Sequence, residues 1–158
     1  MLSTDTIIVD ILETAKQNGE ELLEDFEIEY PSNRVLEESN SIFVGVMSSE
    51  ANINGFEFET FTDLVEILIV TKQRDYIEAI TLIKNISRLV CGLILKNKHL
   101  FPNKPVIRNI NPEFNRDFVL TRGHIMVQVR TEPVTFDLSE EDYNVCKIIL
   151  DKNNIETD

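Results

Sequence analysis

Apolar residues recur at Ile7, Ile8, Ile11, Leu12 and Ala15, the spacing of one helix face. Ser3 or Thr4 is placed to cap this helix, Asp5 sits in its first turn, and Asn18-Gly19 ends it. Phe26-Glu27-Ile28-Glu29-Tyr30 alternates strictly, which predicts a strand with one solvated face, and Pro31-Ser32-Asn33 breaks it. Ile42 to Met47 is a short apolar run bounded by polar residues and predicts a buried strand. The stretch Met47–Phe56 is polar, carries the turn signal Asn54-Gly55, and is expected to be a loop. From Phe56 to about Thr71 the pattern begins in alternation and becomes nearly continuous apolar at Val65–Val70. That change predicts a long strand that starts at an edge and ends between two layers.

The strongest helical stripe is Ile77, Ile80, Ile83, Ile86, Val90, Leu93 and Ile94, with Lys84, Asn85, Arg88 and Lys96 on the other side. It predicts a helix from Tyr76 to Lys98, ~34 Å long at ~1.5 Å per residue, long enough to cover a sheet face. Pro102 and Pro105 separate it from a second β region. Val106–Ile110 is expected as a strand, Asn111–Arg116 as a loop, and Asp117–Glu132 as a long strand. In that last strand Val119, Ile125, Val127 and Val129 share one face, and Arg122, His124, Gln128 and Arg130 the other. Phe118, Leu120 and Met126 interrupt the polar face, so part of it is expected to be covered. Leu138-Ser139-Glu140-Glu141-Asp142-Tyr143 carries an N-cap and a hydrophobic staple, and Val145, Cys146, Ile149 and Leu150 continue a narrow stripe. The expectation is an α+β fold: a mostly antiparallel or mixed sheet covered by one long helix, with further helices at both termini. Residues 1–136 form one domain, and 137–158 are its helical extension.

Composition fits this outline and narrows function. The chain has 158 residues, 42% of them hydrophobic, enough for one core without disulfide or metal. Against 28 Asp plus Glu stand 15 Lys plus Arg, a formal net charge of −13. A chain of this balance is not expected to bind nucleic acid through a broad surface, because phosphate contacts need clustered cations. The acidity serves either solubility or a surface that repels DNA or meets a basic partner. Cys91 and Cys146 are far apart in apolar helical patterns and are expected as buried free thiols. The start Met1-Leu2-Ser3-Thr4-Asp5 lacks a basic leader region and no apolar run reaches membrane-spanning length, which predicts synthesis in the cytoplasm and no membrane partner.

No catalytic, cofactor-binding or metal-binding pattern emerges. GxGxxG, GxxxxGK[ST], CxxC and HExxH are all missing, and His99 and His124 have no ligand-spaced companions. Glu27/Glu29 and Glu57/Glu59 alternate with apolar residues, as on a solvated strand face. The chain is therefore read as a non-enzyme. Long strands leave edges that must be covered, and a neighbour can cover Phe56–Glu59 or Arg122–Arg130 by strand addition.

The order of elements, with Ser41-Ile42-Phe43-Val44-Gly45-Val46, then Phe56 to Val70, the long helix, and Ile125-Met126-Val127-Gln128-Val129-Arg130, resembles the tail-terminator (tail-completion) proteins of long-tailed bacteriophages and phage-tail-like particles. The resemblance covers about residues 1–132. It implies a structural virion protein, made in the host cytoplasm and placed in the tail or neck. It implies a homo-hexameric ring that caps the tail tube, stops its elongation and offers the head–tail joining surface. The implied partners are further copies of the chain, the tail-tube protein, head–tail connector or neck proteins, and the tail sheath. DNA would pass through the lumen without specific binding. Another neck protein, a connector or stopper, is the alternative. Interface candidates on the first polar stretch are Ser49, Glu50, Asn52 and Asn54, followed by Phe56, Glu57 and Glu59. On the second they are Asn111, Glu113, Phe114 and Arg116, and on the last strand Arg122, His124 and Arg130. Both polar stretches, Met47–Phe56 and Asn109–Asp117, are expected to reach neighbouring proteins as loops.

Overall fold

Helix α1 spans Thr4–Gln17 and buries Ile7, Ile8, Ile11 and Leu12 of the stripe expected of it, with Val9 added and Ala15 only partly buried. A computed structural model describes residues 3–31, 40–54, 57–113 and 121–131 of the chain. Ser3 holds the N-cap position without a side-chain capping bond; its hydroxyl meets Asp5 instead. The C-terminus closes in a Schellman arrangement, with Glu20 N–H donating to Ala15 O and Gly19 N–H to Lys16 O. Gly19 stands at φ +88°, a conformation open to glycine at little cost.

After a short 3₁₀ turn at Glu21–Leu23 come β1 (Glu27–Glu29), β2 (Ser41–Asn54) and β3 (Glu57–Thr71). Helix α2 (Tyr76–Lys96), a second 3₁₀ turn (Lys98–Leu100), β4 (Val106–Glu113) and β5 (Thr121–Thr131) complete the order. The strands form one sheet in the order β1-β2-β3-β5-β4, with β1 parallel to β2 and all other pairs antiparallel. This is the mixed sheet of an α+β fold.

Both helices pack on one face. Ile42 and Val44 of β2, Val65, Ile67 and Ile69 of β3, and Ile125, Val127 and Val129 of β5 meet the helical stripes in a single core. From α2 that core takes Ile83, Ile86, Val90 and Ile94. Asp75 caps α2 by accepting from Glu78 N–H at 3.0 Å. At the other end Asn97 closes the helix, its side-chain amide donating to Leu93 O at 2.8 Å. A β-carbon at Gly123 of β5 would lie 2.5 Å from Ile83 Cγ2, so the helix approaches this strand more closely than a methyl group permits.

Four expectations change. The stretch after Met47 is not a loop: β2 runs on to Asn54, pairing with β3 as far as Glu57. Asn109–Glu113 likewise belong to β4, with Pro112 on the sheet's edge strand, where a missing N–H is tolerated. Helix α2 ends at Lys96, and Ile77, assigned to its buried stripe, is 72% exposed because the covered stripe begins at Ala79. Cys91 is a free thiol, only half-buried; burial still raises its pKa above the ordinary thiol value by disfavouring the thiolate. The expected C-terminal helix, Cys146 and the 136/137 boundary lie outside the described residues.

Candidate functional site

Two surfaces carry the residues singled out from the sequence. The first is the far half of the β2–β3 ribbon. An extra residue, Met47, interrupts the ladder between Val46 and Ser48, and a second register shift lies between Asn52 and Ile53. Such bulges bend and twist a ribbon. Val46, which continues the face of Ile42 and Val44, is already 42% exposed and Met47 59%, so β2 leaves the helical cover here. From Ser48 to Asn54 the strand continues ~20 Å at ~3.4 Å per residue. Glu50 stands opposite Thr62, Asn52 opposite Thr60, and Asn54 opposite Glu57.

The base of this ribbon is fastened to α1. Asp63 accepts from the buried Thr4 hydroxyl at 2.9 Å and from the Ser49 hydroxyl at 2.6 Å. Ser49 is therefore held by its own chain at the helix side of the ribbon. Its spacing beside Glu50 gave no hint of that, since its partner is supplied by the next strand.

The second surface is the sheet face turned away from the helices. Arg122, His124, Met126 and Gln128 alternate with the buried residues of β5 and are partly exposed, as the period-2 pattern predicts; Arg130 is exposed. His124 Nδ1 lies 3.3 Å from Glu66 Oε1 on the neighbouring strand. Arg108 of β4 donates to Gln128 Oε1 at 2.7 Å. Between these strands and the ribbon lies an open cleft of about 440 Å³, lined by Ser48, Glu50, Thr62, Leu64, Arg108, Met126 and Gln128. Of these only Glu50 is among the sequence candidates. Met126 was legible as an apolar break in a polar face, whereas Leu64 was hidden inside the apolar run of β3.

At the far edge Asn111 pairs opposite His124 and Glu113 opposite Arg122. The structure thus brings Asn111, Glu113, Arg122 and His124 to one end of the β4–β5 pair, while Glu50 of β2 and Arg130 of β5 flank Thr62 of β3 from its two sides. Glu57 and Glu59 lie on the ribbon. Phe56, Phe114 and Arg116 lie outside the described residues. Among the described residues no three His, Cys, Asp or Glu side chains converge as a metal site would require, and no helix is long and apolar enough to cross a membrane.

No protein-family model matches the chain, and no curated protein matches it. Among solved structures its fold is similar to a chain of the virion of a native gene transfer agent (GTA) particle. The TM-score is 0.55 at 8% identity, and the match covers 79% of this chain and 94% of that one. At such identity the likeness is one of fold: nearly the whole of a component of that virion particle is built on the α+β plan found here.

Proposed function

We propose that this chain is a structural virion protein, a ring-forming tail terminator that caps the tail tube and offers the surface that joins the head. The observation that carries the reading is the fold shared with a component of a gene transfer agent virion over 94% of that component's length. Two features of the chain support it. The ribbon of β2 and β3 continues beyond the helical cover, so it can reach an adjacent molecule without disturbing the core. Among the described residues no helix covers the other face of the sheet, where Leu64 and Met126 line an open cleft, and exposed apolar patches of that kind serve as contact surfaces. A ring needs two different surfaces on each copy, related by a rotation that closes.

The test is association with tail tubes that lack heads, read by electron microscopy, together with light scattering on the purified protein. Rings at one end of the tubes are the expected result. A monomer at high concentration, with bare tube ends, would sink the reading. Association with heads lacking tails, but not with tubes, would favour a connector or stopper instead.

A further inference from the structure

Among the described residues the charge is segregated. Residues 3–31, which form α1, the first 3₁₀ turn and β1, carry nine carboxylates and one lysine. Asp10, Glu21, Glu24, Asp25 and Glu27 among them are exposed. Residues 79–112, which form most of α2 and nearly all of β4, carry six Lys or Arg and no Asp or Glu. The strand ends of these two regions occupy opposite edges of the sheet, β1 at one and β4 at the other. Lys84, Arg88 and Lys96 are exposed on the solvent side of α2, opposite the buried Ile83, Ile86, Val90 and Ile94. Lys98 and Lys104 extend the cationic surface. Among the described residues no carboxylate forms an ion pair with any of these five cations. In a chain of net charge −13, a basic strip with no carboxylate partner among the described residues is conspicuous, because acidic surfaces repel one another wherever like meets like.

We propose that the basic face of α2 docks against the acidic α1–β1 edge of a second copy of this chain. The two surfaces differ, so each copy offers one donor and one acceptor side, the head-to-tail arrangement from which a ring closes. Complementary charge sets the register of such a contact and suppresses like-on-like pairing. This assignment rests on the ring proposed above and names the surfaces that meet in it.

The test uses charge exchange in the full chain, followed by sedimentation equilibrium. One variant is Lys84→Glu/Arg88→Glu/Lys96→Glu, acidic on both sides. The other is Asp10→Lys/Glu24→Lys/Asp25→Lys, which makes the acidic edge basic. All six positions are exposed, and circular dichroism melts check that each variant stays folded. Each variant alone is expected to associate at least ~10-fold more weakly than the parent, on the order of the charge-pair effects known at interfaces. An equimolar mixture is expected to regain assembly, with the two chains alternating and even in number. A milder variant, Lys84→Gln/Arg88→Gln/Lys96→Gln, is expected to fall between parent and full reversal. An oligomeric parent whose assembly ignores both exchanges overturns the pairing and leaves the ring reading intact. Folded variants that both lose assembly but do not regain it on mixing overturn the pairing as well. Retention of duplex DNA by the parent, lost in the α2 variant, would assign the strip to nucleic acid and overturn the proposal. A parent that stays monomeric at high concentration overturns the pairing along with ring formation in solution.

Discussion

At Gly123 the absence of a β-carbon sets how closely α2 can lie on β5. Gly123→Ala forces a methyl group toward Ile83 Cγ2 and should cost about 1–3 kcal/mol, the range for overpacked cores. Urea titration with an unchanged slope would confirm it. Gly92 is the contrast. It lies on the exposed side of the same helix, and a β-carbon there would meet nothing within 4 Å. Gly92→Ala should therefore stabilise by roughly 0.5–1 kcal/mol, read by the same titration. Cys91 is a third position with a measurable consequence. Burial raises its pKa in the folded chain, so the folded state holds this proton more tightly than the unfolded one. Its contribution to stability is complete below the ordinary thiol range and is lost as pH rises through the raised folded value. Peptide-mapped alkylation should find Cys91 slower than a free thiol at about pH 8, and equally fast once the chain is unfolded.

Among the elements, helices are the most legible in the sequence, because their signal is local. The stripe of α1 and its Asn18-Gly19 stop match the observed Thr4–Gln17 almost residue for residue. The inward and outward faces of β5 also follow directly from the alternation at Ile125, Val127 and Val129. The far half of β2 is not legible. Ser48-Ser49-Glu50-Ala51-Asn52 has neither an apolar face nor β-branched residues, and it is a strand because β3 supplies its ladder. Asn111-Pro112-Glu113 is the same case at an edge. The candidate surface is legible in the same measure: the face of Arg122, His124 and Arg130 follows from periodicity, while the anchoring of Ser49 does not, because its Asp63 partner is nonlocal. The bulge at Met47 divides β2 into two energetic regimes. Val44→Asp buries an unpaired charge and should abolish folding, whereas Met47→Asp, at an exposed site, should shift the melting free energy by no more than about 0.5 kcal/mol. Thermal melts of the two variants test the boundary.

For the whole molecule, the two-layer plan separates stability from contact. Among the described residues, every fully buried apolar side chain of the strands faces the helices except Val70, which leaves Leu64 and Met126 half-buried on the other face beside the open cleft. Charges placed there should disturb partners more than the core. Leu64→Lys/Met126→Lys is expected to keep a cooperative melt within about 2 kcal/mol of the parent and, if the proposed terminator role holds, to lose association with tail tubes. Loss of the cooperative melt instead would show that this face belongs to the core.

The β2–β3 ribbon has one more consequence, in time rather than in space. Its two strands are nearly contiguous in sequence, whereas β3 meets β5 only across a separation of 50 to 70 positions, from Thr71 with Thr121 to Phe61 with Thr131. Loop-closure entropy favours the shorter closure, so the ribbon is the natural nucleus, and β5 completes the sheet after α2 has formed. In pulse-labelled hydrogen exchange during refolding, amides of Val44, Val65 and Ile67 should gain protection before that of Val127. During synthesis the same order lets the ribbon form while β4 and β5 are still being made.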